Sequence, residues 1–142
     1  MALTPAVLAS LSNIDSDWAL IPIDGQKRPV DPVSGELLRN WSAAGLNLEE
    51  FQAVTASPYV LAVGLVLGPA SGVMAVDFDG PGSAGCFRRI YGRLPTDLPA
   101  TVGWTSGLPQ RGQLAYRVPL EFWPYLRGRR YWSRSAQRTS RC

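Results

Sequence analysis

The sequence predicts an α+β (mixed α/β) fold, and three observations carry that reading. Amphipathic helical segments and short apolar strands interleave along the chain. A nearly continuous apolar stretch, Val60 to Leu67, is followed after a short turn by a second, Val73 to Asp79. A strand–turn–strand pattern then runs from Thr101 to Val118. The 142 residues fit one domain, and a composition of 46% hydrophobic and 18% charged residues excludes wholesale disorder.

The first helix is expected from Thr4, an N-cap with Pro5 at the first helical position, and Val7, Leu8, Leu11 and Ile14 form its inward stripe. Trp18 to Ile23 reads as a short strand, with Pro22 near its end marking an edge or a terminus. Asp24 to Asn40 lacks periodicity and reads as a long loop that contains Lys27-Arg28-Pro29. Asn47 with Glu50 three residues on predicts a capping box, opening a helix with Phe51 and Val54 inward. Val60 to Leu67 reads as a strand covered on both faces. After Val73 to Asp79 and the Gly80-Pro81-Gly82 turn, Ser83 is expected to cap a helix. Its Phe87, Ile90, Tyr91 and Leu94 share one face, Arg88, Arg89 and Arg93 another, and Pro95 ends it. In the last strand Leu114, Tyr116 and Val118 alternate with Gln113, Ala115 and Arg117. Pro119 to Leu126 is expected to form a short aromatic helix.

The chemistry open to this chain is narrowed by what it lacks. It has no histidine, so histidine-centred zinc sites, Ser-His-Asp triads and a histidine general base are excluded. Cys86 and Cys142 form no CxxC motif and no disulfide framework, and Cys86 reads as a small buried hydrophobe. The longest apolar run is about half the ~20 residues of a spanning helix, and no signal-peptide pattern opens the chain. A cytoplasmic, reducing compartment with no membrane is therefore expected. The net charge of +3 hides two regions. Residues 1–126, the expected folded domain, carry −3, whereas residues 127–142 hold six arginines and no acid. That arginine/serine-rich tail is expected to be a disordered appendage with affinity for phosphate backbones.

Asp77 and Asp79 are the sharpest candidates. Positions i and i+2 of a strand face the same way, about 6.5–7 Å apart at Cα, so both carboxylates can converge on a cation. Their mutual repulsion would be relieved by a divalent ion, and oxygen donors suit Mg²⁺ or Mn²⁺. The blander alternative is that both simply introduce the glycine-rich turn. A second constellation is Thr105-Ser106-Gly107 followed by Arg111 and Gln113, where hydroxyls, amides and a guanidinium can hold a triphosphate; an ordinary polar hairpin loop reads the same way. Trp18, Trp41 and Trp104 read as core rather than as base-stacking platforms.

The succession of Trp18 to Ile23, Lys27-Arg28-Pro29, Trp41, Val63 to Gly68, Val76-Asp77-Phe78-Asp79-Gly80 and Thr105-Ser106-Gly107 closely resembles the N-terminal domain of bifunctional DNA primase/polymerases, in the archaeo-eukaryotic primase superfamily. The resemblance spans roughly Trp18 to Val118. It implies a two-part catalytic domain whose RRM-like sheet bears a two-metal site that makes primers and extends DNA from nucleoside triphosphates, often ahead of a helicase in proteins of mobile elements. It also implies metal-binding roles for Asp77 and Asp79, and nucleotide-binding roles for Lys27, Arg28, Ser106 and Gly107. The family's motif histidine is replaced by Gln113, which accepts and donates hydrogen bonds but brings no charge; Arg111 is the nearest cation to supply it. No later carboxylate matches the third metal ligand, and Glu121 follows the hairpin too closely. The expectation is a domain missing its last strands, with an altered C-terminal reading.

Two other functions compete. An apolar strand ending in Asp-X-Asp-Gly also opens haloacid dehalogenase-type phosphatases, with Asp77 as nucleophile and Asp79 as general acid. Against it, Pro81 replaces the usual threonine and some 70 residues precede the motif. The third reading is a non-catalytic nucleic-acid-binding remnant that uses Arg88, Arg89, Arg93 and the tail.

Overall fold

The structure, a computed structural model, describes residues 3–43, 45–105 and 107–127. It is an α+β protein with two small antiparallel sheets, and the chain divides after Gly72 into two compact units.

In the first unit, helix α1 (Pro5–Ser10) starts where Thr4 Oγ1 accepts the Val7 N–H at 3.4 Å, and continues into a single 3-10 turn. Leu11 is buried and Val7 packs beside it, four residues apart on one helix face. Leu8, expected inward, is exposed because it lies about 100° around the helix from Val7. Strand β1 (Leu20–Ile23) pairs with β2 (Ala62–Leu65) from Leu20↔Leu65 to Ile23↔Ala62. The predicted loop between Asp24 and Asn40 is stitched by single bridges, Ile23↔Pro29 and Val30↔Leu37. Helix α2 (Leu48–Val54) has the full capping box: Asn47 Oδ1 accepts from Glu50 N and Glu50 Oε2 from Asn47 N, both at 2.9 Å.

That helix drives the fully buried Phe51 into a core with Leu3, Leu11, Leu20 and Val60. The β2 segment departs from expectation. It is four residues long and half-buried throughout, with Val60 and Val66 buried just outside it. Among the described residues its sheet has two strands, so β2 has a single paired neighbour there. Ser71 ties the following turn back to this sheet: its hydroxyl donates to Val66 O at 2.6 Å and accepts from Ala19 N at 2.9 Å.

The second unit is a three-stranded antiparallel sheet of β3 (Val73–Asp79), β4 (Gly103–Trp104) and β5 (Arg111–Arg117), in the order β3-β5-β4. Helix α3 (Ser83–Tyr91) lies against Phe78, whose ring centroid is 5.7 Å from that of Phe87. The cap of α3 is Gly82 at φ 89, not Ser83, whose hydroxyl instead donates to Gly80 O at 2.7 Å. The helix also ends earlier than expected, at Gly92 with φ 73; a glycine reaches this left-handed cap without steric cost, so Pro95 is not needed to stop it. Cys86 is buried, but Ile90, Tyr91 and Leu94 are exposed. The aromatic segment Leu120–Tyr125 is a 3-10 helix.

Candidate metal and nucleotide site

Asp77 and Asp79 close β3, and strand alternation puts both side chains on the face opposite Phe78 and α3. The antiparallel register sets Gln113 opposite Asp77 and Arg111 opposite Asp79. On the other side of β5, Trp104 stands opposite Gln113. Directly opposed residues share a face with Cβ atoms about 4.5–5.5 Å apart, so Asp77, Gln113 and Trp104 form one row across three strands. Asp79 and Arg111 form the next row, with Arg111 Nε 3.3 Å from Asp79 Oδ1.

The loops hold this register. Gly80 N donates to Gln110 O at 3.0 Å, clamping the end of β3 to the start of β5. Across the hairpin, the Thr105 hydroxyl donates to Arg111 O at 2.8 Å and accepts from Gly107 N at 3.1 Å. Gly107, at φ 79, thus spends its amide inside the loop rather than facing a ligand. Ser106 lies outside the described residues. Gly112 permits the close hairpin, since a Cβ there would stand 3.2 Å from Trp104 O.

Lys27 and Arg28 belong to the first unit, in a turn organised by Asp24. Asp24 Oδ1 accepts the N–H groups of Gln26 and Arg28 at 2.8 and 2.9 Å, while Oδ2 accepts from Arg28 Nε and Nη2 at 3.0 and 2.8 Å. The Arg28 backbone N–H, then its guanidinium, hold the Asp24 carboxyl below its ordinary value of 3.8. Lys27 sits at φ 62, a left-handed conformation rare for a side chain of its size. Arg28 is therefore locked to a carboxylate. Asp24, not among the expected site residues, carries a turn signal of its own in the Gly-Gln that follows it.

Trp104, expected in the core, is instead 40% exposed and shares the row of Asp77. Trp41 is likewise exposed, whereas Trp18 packs against the first unit's core. Arg88, Arg89 and Arg93 are all exposed, around the C-terminal end of α3 where cations complement the helix dipole.

Two carboxylates on one strand face are hard oxygen donors and suit Mg²⁺ or Mn²⁺. Among the described residues no group of three or more His, Cys, Asp or Glu side chains could hold a metal, so the donors available are a pair. The guanidinium at Asp79 is a competitor for that pair. A cavity of about 290 Å³ lies elsewhere, lined by Phe78, Ser83 and Pro95, with Arg111 the one residue it shares with the carboxylate face. No helix among the described residues is long and apolar enough to cross a membrane.

The family model described as bifunctional DNA primase/polymerase, N-terminal, matches residues 10–134 of this chain. No curated protein and no solved structure matches it significantly.

Proposed function

This chain belongs to the bifunctional DNA primase/polymerase N-terminal family, and on that premise we propose that Asp77 and Asp79 together hold a divalent cation, Mg²⁺ or Mn²⁺, for nucleotidyl transfer from a nucleoside triphosphate to a DNA primer end. Membership makes DNA and nucleotides the substrates; the ion, the residues and their roles are the proposal. The observation that supports it is the β3–β5 register, which faces the Asp77/Asp79 pair with the two residues nearest the second motif, Gln113 and Arg111.

Each side chain has a distinct task. Asp77, exposed at the end of β3, and Asp79 on the same strand face would hold the cation with their carboxylates. Gln113 hydrogen-bonds a phosphate oxygen without adding charge, and Arg111 contributes the positive charge. When bound, the cation neutralises the triphosphate and polarises its reacting phosphoryl group. With two carboxylates rather than three, one ion is held better than a close pair, and incorporation by this chain should be slow.

Calorimetric titration with Mn²⁺ tests the site: Asp77→Asn and Asp79→Asn should each remove the binding seen with the wild type. Unchanged binding in both variants would overturn it. Metal-dependent nucleotide incorporation on a primed template tests the activity, and DNA binding without incorporation would favour instead the nucleic-acid-binding reading carried by the exposed Arg88, Arg89 and Arg93. The family match leaves the phosphatase reading without support.

A further inference from the structure

We propose that Arg111 is an exchangeable counter-ion, neutralising Asp79 while no cation is bound and passing to the nucleotide's phosphates when the cation takes its place. The inference rests on the carboxylate site proposed above. Two guanidinium–carboxylate pairs in this chain differ in a way that points to it. Arg28 grips Asp24 with two side-chain hydrogen bonds, at 2.8 and 3.0 Å, and is fixed there. Arg111 meets Asp79 more loosely, at 3.3 Å; the two guanidiniums are about equally exposed, but the Asp79 side chain is 34% exposed against 17% for Asp24. Exposed pairs of this kind are weak and readily displaced by a divalent ion.

The backbone around Arg111 does not share that looseness. Arg111 O is held by the Thr105 hydroxyl at 2.8 Å and the neighbouring Gln110 O by Gly80 N at 3.0 Å. Movement is thereby confined to the side chain, which is about half exposed to solvent and so has room to swing.

Charge favours the exchange. Asp77 has no ion-pair partner among the described residues, so the end of β3 sets two carboxylates against the Arg111 guanidinium, with Arg117 at the far end of the face opposite Val73. A divalent ion balances both carboxylates and leaves Arg111 a free cation beside the position where phosphates arrive. Metal and nucleotide binding then assist each other, because the metal releases the group that the nucleotide needs.

The test is calorimetry on the full chain with Mn²⁺ alone, then with dATP at saturating Mn²⁺. Arg111→Gln should raise affinity for Mn²⁺ alone roughly two- to fivefold, the size of a lost exposed ion pair. The same variant should lower dATP affinity about ten- to a hundredfold, the size of a lost charge-assisted contact. Arg111→Lys, which keeps the charge, should return both values toward wild type. Opposite signs are the signature, since a merely structural role would weaken both. If Mn²⁺ binding needs Asp77 but does not rise in Arg111→Gln, or if dATP binding is unchanged, the exchange is overturned while the carboxylate site stands. If neither Asp77→Asn nor Asp79→Asn affects Mn²⁺ binding, both ideas fall.

Discussion

In the first unit Leu3, Leu11, Leu20, Ile21, Val30, Phe51, Val60 and Val66 are buried, whereas in the second only Val73, Cys86 and Ala115 join them among the described apolar side chains. The exposed large hydrophobics show the reverse bias, with Ile90, Tyr91, Leu94, Val102, Trp104, Leu108, Leu120, Phe122 and Tyr125 all in the second unit. Burial therefore organises the first unit, around Phe51. The second is organised by strand pairing, whose ladder fixes which polar side chains face each other whether or not the face is covered. A polar site tolerates substitution on such a face, because few atoms pack against it. The same change in the first unit's core would leave a cavity.

The sharpest break of this contrast is Phe51→Ala, which should cost about 3–5 kcal/mol in chemical denaturation; a cost below about 1 kcal/mol would show that the first unit is not held by this cluster. Ser71→Ala comes next. It removes the partner of both Val66 O and Ala19 N in a buried position and should cost about 1–3 kcal/mol. Asn47→Ala removes half of the capping box on α2 and should cost about 0.5–2 kcal/mol, with Asn47→Asp nearly neutral. On the second unit's polar face, Asp77→Asn should stay within about 0.5 kcal/mol of wild type while abolishing Mn²⁺ binding. A large destabilisation there would make Asp77 structural and erase the distinction between the units.

The smallest effect expected is one of pH. Asp24 and Asp31 both have depressed carboxyl values, Asp24 through the Arg28 N–H and Asp31 through the Ser34 and Val33 N–H groups. Folded values below the ordinary 3.8 mean that their stabilisation is complete above that pH and fades as pH falls through the lower folded values. Carboxyl NMR titration should find both below 3.8, and Asp24→Asn should flatten the acid limb of the stability curve slightly. Both groups are half-buried in surface turns where solvent screens their interactions, so the change is small.

Local signals in the sequence were enough for much of this protein. The Thr4 and Asn47 caps, the extent of β3 and the shared face of Asp77 and Asp79 follow from hydrogen-bonding groups and alternation within a few residues. The ordered motifs led likewise to the family that the comparison found. Errors of local reading had local causes: Gly82 and Gly92 adopt left-handed conformations that displace Ser83 and Pro95 from their expected roles. What tertiary structure alone decided was partnership. Alternation states which residues share a strand face, but not which strand lies alongside, and β3 meets β5 across more than thirty intervening residues. A shift of one residue in that register would turn Arg111 and Gln113 away from the carboxylates. The pairing of Asp79 with Arg111, and the exposure of Trp104 beside Gln113, depend on long-range backbone hydrogen bonds that no short window of sequence encodes.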